Sequence, residues 1–500
     1  MLKNDKIFDI YYYNVKDMVN RTYCDKICTI VLDSKLNSGL NPVSELHHGN
    51  GVYSRMLLHF DHTDIKKKIE DKTYANVEKL HHYLRMTNAG SIDFTEIHCD
   101  KISDISNGRV KRAASFDLIF FLIPMFWDGG KGFDMVYDKF SFKGNSMIVP
   151  HSKTRLLSED GCNWFQPRNG YKWKEEGIYS TETLSREYEN LASDCGSSII
   201  LCRQHFDIGN ENINIDITDL VNKYVNEEIP NYGIGVAFTP MTEIEDSEIE
   251  EYCSFFTHKT NSFFEPFVET VYDDYISDDR GSFCLNKNNR LYLYCNIGSI
   301  ATNLDELPTC TINDIQYEVK QYSKGIYYAE VFGDSSVFRS NTMYYDVWSN
   351  IKYDGVSFDD IEMDFVVHGQ LSFFYFGNTL SESTHFTSAV YGIKEEERIK
   401  RGDLRKVSIL ARQNYSKNRA NVIDEMYYRL YVMDGTRELD IINWSHVNKT
   451  VKENFFNIDT NMLLPKKYYV DIKYKYNMEE ISERNVLSFY ITDDLNNKYN

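Results

Sequence analysis

Residues 213–238 read INIDITDLVNKYVNEEIPNYGIGVAF, and the change of period inside them decides the class of the chain. Ile213, Ile215 and Ile217 alternate with Asn214 and Asp216, the period of two that marks a half-buried strand. From Ile217 the spacing changes: Leu220, Val221, Tyr224 and Val225 fall on one face of a helix. Asp216 or Thr218 can cap its orphan amides, and Asp219 suits its first turn. Pro230 stops the helix, and Asn231-Tyr232-Gly233 turns the chain. Ile234, Val236 and Phe238 then alternate with Gly235 and Ala237, so a second strand follows. Its small-residue face calls for a close neighbour, for which the preceding helix is the candidate.

Working outward, an acidic insert separates this unit from FFEPFVETVY at 263–272. Pro266 cannot donate to a ladder, which places that strand at an edge or starts it beside one. The run DDRGSFCLNKNNRLYLY at 278–294 then leads into a new alternating strand.

The pieces IDITDLVNKY, NYGIGVAF and FFTHKTNSFFEPFVETVY resemble the C-terminal half of a DNRLRE-type domain, a β-jelly-roll of secreted, cell-surface and phage proteins. The N-terminal hallmark of that family is an Arg followed by apolar residues and Phe-Asp. Here Arg55-Met56-Leu57-Leu58-His59-Phe60-Asp61 matches it. Phe126-Trp127-Asp128-Gly129-Gly130 and Asn163-Trp164-Phe165 are similar to its Trp-containing loops. The resemblance covers roughly the first 275 residues, with a more charged segment at 66–76 than the family pattern has.

Composition points the same way. Of 500 residues, 37 are Tyr and 30 Phe against 9 Pro, and aromatics favour pleated, half-buried surfaces. The formal net charge of −20 argues against a nucleic-acid partner, which needs a basic stripe. It argues equally against an anionic membrane surface. The N-terminal residues do not read as a signal peptide. The longest apolar run, 116–127, is interrupted by Pro124 and falls short of the about 20 residues that span a bilayer; it reads as a buried strand. The ten cysteines include no Cys-x-x-Cys pair, and Cys28, Cys202 and Cys295 sit in apolar strands. Reduced thiols fit this better than a disulfide framework.

The chain is therefore expected to be mainly β: an N-terminal jelly-roll-like sandwich followed by two smaller Ig-like sandwiches, over 1–280, 286–376 and 389–500. In the first, strands are expected at 26–32, 53–60, 81–86, 115–124 and 197–203. A charged helix or loop is expected at 63–72, and long loops at 128–138 and 158–193. Loops of that length usually carry function or lie at interfaces. In the second module, Lys324-Gly325 and Asp354-Gly355 mark turns between short strands, and Trp348 reads as a core anchor. The third module carries strands at 405–412, 425–433, 438–444, 468–476 and 485–491.

Candidate chemistry is sparse. Glu265, Glu269, Asp273, Asp274, Asp278 and Asp279 supply oxygens of the kind Ca2+ takes, or a glycosidase pair; a solvated edge or interdomain contact is the simpler reading. His47-His48, His59 with His62, and His81-His82 lack spacing that completes a metal site. Gly129-Gly130-Lys131-Gly132 lacks the spacing of a phosphate loop. Arg401-Gly402-Asp403 reads as a turn. Trp127, Trp164 and Trp173 can stack on sugars, although burial is the commoner fate. No catalytic, cofactor-binding or metal-ligating residue is expected, and no cofactor.

The module series, with YYDVWSNIKYDG and YRLYVMDGTRELDIINW, is similar to multi-domain virion proteins of tailed bacteriophages. The resemblance implies a non-enzymatic part of the tail, baseplate or fibre-attachment region. Such a part is assembled in the host cytoplasm and held by other virion proteins and copies of itself, without nucleic acid or membrane. The alternatives are a carbohydrate-binding adhesin or receptor-binding protein, binding glycan through the Trp-bearing loops, and a glycan depolymerase working through residues such as Glu269.

Overall fold

The computed structural model describes residues 18–49, 51–74, 77–89, 111–112, 115–132, 158–191, 197–207, 209–245, 249–260, 262–272, 275–281, 283–297, 300–368, 386–413, 422–423, 425–450, 452–476 and 479–493. The stretch 377–388 between the second and third expected modules, Cys99, Cys195, Asp273, Asp274 and the ends of both long loops fall wholly or partly outside them. The chain is mainly β and built of sandwich-like sheets. Internal contacts divide it into two compact units: one of 21–66 and 81–270, the other of 1–20, 67–80 and 271–500. Among the described residues no helix is long and apolar enough to cross a membrane.

Eleven strands form the first assembly: β1 (Met18–Val31), β2 (Val43–Gly49), β3 (Val52–Phe60), β4 (His81–Met86), β5 (Lys111–Arg112), β6 (Phe116–Leu122), β7 (Ile200–Phe206), β8 (Ile213–Asp216), β9 (Ile234–Phe238), β10 (Ile249–Phe256) and β11 (Phe267–Tyr272). They pair in the order β5-β10-β2-β3-β1-β11-β4-β8, with β9, β6 and β7 branching from β3. β3 makes this branch by serving different partners along its length. Tyr53 and Val52 pair with β2, whereas Met56, Leu57 and Leu58 pair with β9. Its side chains from Met56 to Leu58 are accordingly fully buried.

The deciding stretch folds as its periods require. After β8, the helix Thr218–Val225 buries Leu220, Val221, Tyr224 and Val225. The Asp216 carboxylate accepts from the Thr218 amide at 2.9 Å. On β9, however, the close neighbour of the small-residue face is Phe121 on the adjacent strand, paired with Gly235. A Cβ at Gly235 would lie 2.2 Å from that ring, so the glycine is there to seat a cross-strand phenyl group. Pro266 stops just short of β11, and its carbonyl accepts from the Cys24 amide at 2.9 Å. The missing donor therefore does not interrupt the ladder, and β11 lies between β1 and β4.

Among the described residues four helices punctuate this part: α1 (Thr63–Glu70), α2 (Thr181–Glu189), α3 (Thr218–Val225) and α4 (Pro240–Ile244). α2 lies inside the segment read as loop. Ser180 caps it by accepting from the Thr183 amide, but it buries only Leu184, too narrow an apolar stripe for periodicity to expose. α4 and β10 occupy the acidic insert, for which no element was expected.

In the second unit, Asn288–Tyr294, Ile326–Phe332 and Val319–Ser323 form a three-stranded sheet. Ile315–Tyr317, Thr309–Ile312, Thr342–Ser349 and Ile361–Val367 form a four-stranded one. One core that includes Leu291, Tyr327, Trp348 and Phe365 lies between them. A further pair of sheets, four- and five-stranded, follows. Strands at Phe386–Tyr391, Glu397–Lys400 and Asn454–Asp459 were not foreseen. Tyr428 of one sheet stacks on Phe456 of the other, centroids 3.9 Å apart. The charged segment at 67–80 packs within this unit: Lys68 meets Asp459 at 2.6 Å and Asp71 meets Lys324 at 3.0 Å.

The segment that enters this unit is held by a buried ion cluster. Arg280 donates to Asp346 through Nε at 3.1 Å and Nη2 at 2.5 Å, and to Asp278 through Nη1 at 2.7 Å. The Trp348 indole donates to the same Asp346 at 2.6 Å. Burial pushes the Asp278 carboxyl up to about 6, with the Arg280 charge pulling the other way. A carboxyl raised from its ordinary value near 3.8 contributes stability that is present at low pH and lost as pH rises from about 4 to 6. Asp278→Asn is therefore expected to raise the melting temperature of this unit at pH 7.5 and to raise it by about half as much at pH 5, where only part of the loss has accrued. Asp346→Ala is expected to cost about 3–5 kcal/mol at both, because it strips a buried guanidinium of its bidentate partner. Thermal unfolding of the two variants at the two pH values checks this.

Candidate functional site: a loop layer pinned by Arg55

The two long loops, 123–132 and 158–181, form a layer over the sandwich, and Arg55 of β3 reaches up into it. All five of its N–H groups are matched. Nε and Nη2 donate to the Glu243 carboxylate at 2.8 and 2.5 Å. Nη1 donates to the Gly177 and Tyr179 carbonyls at 2.6 Å each, and Nη2 also reaches Thr181 Oγ1 at 3.4 Å. Both charged side chains have no exposed surface. The guanidinium also stacks near Trp164, 5.1 Å from its centroid. The Arg that carries the family resemblance is thus a structural hub, and Glu243, from the acidic insert, is the partner sequence reasoning missed.

A second set of contacts pins the layer's outer turn. Asn37 is fully buried; its Oδ1 accepts from the Gly132 amide at 2.9 Å, and its Nδ2 donates to the Asp160 carbonyl at 2.9 Å. A Cβ at Gly130 would fall 1.9 Å from Asn37 Oδ1, and one at Gly39 would fall 2.0 Å from the Gly130 carbonyl oxygen. The glycine run therefore exists for backbone-to-backbone approach. Gly130→Ala is expected to destabilise the protein by about 1–3 kcal/mol and to speed amide exchange across 158–178, which thermal melts and hydrogen exchange will read.

The three tryptophans of these loops are buried, at 0%, 4% and 5% exposure for Trp127, Trp164 and Trp173. Two of the indole N–H groups are spoken for: Trp127 donates to the Tyr232 carbonyl at 2.8 Å and Trp173 to that of Asn163 at 2.7 Å. Burial, the commoner fate, is thus theirs, and the indoles themselves have no face left to stack on a sugar. The exposed rings of the layer are instead Phe126 and Tyr171, at 50% and 55%. Only Tyr171 lacks any sequence signal of its own; Phe126 stands one residue before the tryptophan that drew attention.

The other candidates disperse. Glu269 is held by Arg85 at 2.7 Å, Asp278 by Arg280, and Asp279 accepts from the Arg290 amide at 2.9 Å. His59 pairs with Asp25 at 2.6 Å, His62 stacks on Tyr224, and His82 shares a hydrogen bond with Thr270 at 2.9 Å. Burial pushes His47 and His82 down to about 4 and His62 to about 3. Among the described residues, no three His, Cys, Asp or Glu side chains gather as a metal site. Asp403 of the Arg-Gly-Asp tripeptide meets Arg405 at 3.2 Å, and Gly402 turns with φ +106°. The eight described cysteines are free thiols.

No family model matches the chain, and no curated protein does. Solved structures with some likeness include the tandem Ig repeats of Dlar, at 12% identity over 42% of this chain and 91% of that one, TM-score 0.14. The fibronectin(III)-like modules of Clostridium thermocellum CbhA align at 10% identity over 44% and 93%, TM-score 0.14. A putative membrane-anchored protein of Corynebacterium diphtheriae aligns at 9% over 95% and 97%, TM-score 0.16. At these scores the likeness adds nothing to the fold read from the sheets themselves.

Proposed function

We propose that the chain is a non-enzymatic structural component of a bacteriophage virion, in the tail, baseplate or fibre-attachment region, acting through protein–protein interfaces with other virion proteins and copies of itself. The observation that carries this reading is the closure of two buried polar centres. Every N–H of Arg55 is used inside the fold, and the Arg280 side chain lies between two buried carboxylates. Such groups are spent on holding loops rigid, which an assembly part needs. The phage-like sequence vocabulary supplies the context. Quantitative mass spectrometry of gradient-purified particles tests it: a fixed copy number per particle is expected, and absence from particles when the chain is abundant in lysate would refute it.

A second reading, a carbohydrate-binding adhesin or receptor-binding protein, is favoured by one observation: the loop layer turns aromatic rings outward at Phe126 and Tyr171.

A further inference from the structure

We infer that the outer surface of the loop layer binds a carboxylate-bearing sugar, through the Arg168 guanidinium and the exposed rings of Phe126 and Tyr171. The inference deepens the adhesin reading and rests on it.

The arrangement starts from Arg168. Its guanidinium carbon lies 3.8 Å from the Tyr171 ring centroid and 5.7 Å from that of Phe126. Lys26 adds a second cation 4.6 Å from the Phe126 centroid. Arg55, Arg85, Arg280 and Arg429 each sit on carboxylates, yet among the described residues Arg168 has no acidic partner. A guanidinium held against rings keeps its planar fork of donors aimed past them, the geometry that takes a carboxylate in bidentate fashion. Tyr171 has the guanidinium on one face and more than half its surface in solvent, enough to receive the C–H face of a pyranose.

The support beneath is rigid. Tyr171 is in the same loop as Trp164, Trp173 and Gly177, whose indoles and carbonyl are fixed in the core. Phe126 precedes the buried Trp127. A connection needs only a few residues; one this long, bonded to the core on its inner side and carrying on its outer side Arg168, without an acidic partner among the described residues, is a pre-organised contact surface, and pre-organisation is what spares a ligand the cost of ordering its site. The net charge of −20 opposes a polyanion at long range, so recognition must be local, and salt must weaken it.

The test uses the full chain on immobilised hyaluronate, alginate, polygalacturonate and sialyl-lactose, beside neutral dextran and maltooligosaccharides; multivalent display compensates for weak single sites. Retention on the acidic glycans is expected, the uronate and sialate arms telling which sugar is preferred. It should fall at least tenfold in Arg168→Gln and Tyr171→Ala, with unchanged melting temperatures, as these side chains pack on the surface. Equal retention on neutral glycans would leave the adhesin reading standing and overturn the acidic-sugar assignment. No retention on any glycan would overturn both. Retention indifferent to Arg168→Gln would overturn the site.

Discussion

Lowering the pH from 7.5 to 5 is expected to drop the melting temperature of the unit formed by 21–66 and 81–270 by about 10–20 °C. His47, His62 and His82 are buried in it, and burial holds them at about 4, 3 and 4. Their ordinary value is near 6.5. Because the folded values are depressed, their contribution is fully present above about 6.5 and is lost as pH falls, when the unfolded chain takes up protons that the native one refuses. At pH 5 each costs on the order of 2 kcal/mol, about 6 kcal/mol together, against a total stability of about 5–15 kcal/mol. Glu251, pushed up to about 7 by burial, works in the opposite sense, and His258, pushed down to about 4, offsets it by a similar amount. Hydrogen exchange at the two pH values will locate the loss, and His62→Phe, which keeps a ring against Tyr224, should recover about a third of it. An unchanged melting temperature would mean that these imidazoles are solvated.

Arg55→Met is the second large effect. It removes the only cation bonded to Glu243 among the described residues and leaves a carboxylate with no exposed surface. Breaking a buried pair from one side costs about 3–5 kcal/mol, and here the Gly177 and Tyr179 carbonyls lose their donors as well. Amide protection across 158–181 should fall with the melting temperature. Arg55→Met with Glu243→Leu should restore much of the stability, since an apolar pair of similar volume avoids the stranded charge. Arg55→Lys should not, because an ammonium cannot span two carbonyls and a carboxylate from one place. Recovery by Lys would reduce the hub to a simple charge.

The strands were legible wherever one face is buried and the other is wet. Residues 213–238 were read correctly through two changes of period, because each element there buries a distinct set of apolar residues. The buried hub was not. Glu243 stands 188 residues from Arg55, in a segment whose acidic surface vocabulary hides one fully buried carboxylate, and no local pattern marks which Glu of a run turns inward. The tryptophans show the converse. Burial was the favoured reading for them and is what the loops provide, but nothing in the sequence told that the same loops would present Phe126 and Tyr171 outward. α2 escaped notice because it buries a single leucine.

Cryo-electron microscopy of particles purified from the source of this sequence tests the central proposal, that the chain is a rigid β scaffold of a virion working through its faces. The claim predicts density for its sandwiches in repeated, symmetry-related copies, with the loop layer ordered and the outer sheet faces against other subunits. A complete map of the particle, every subunit assigned and this chain not among them, would contradict it.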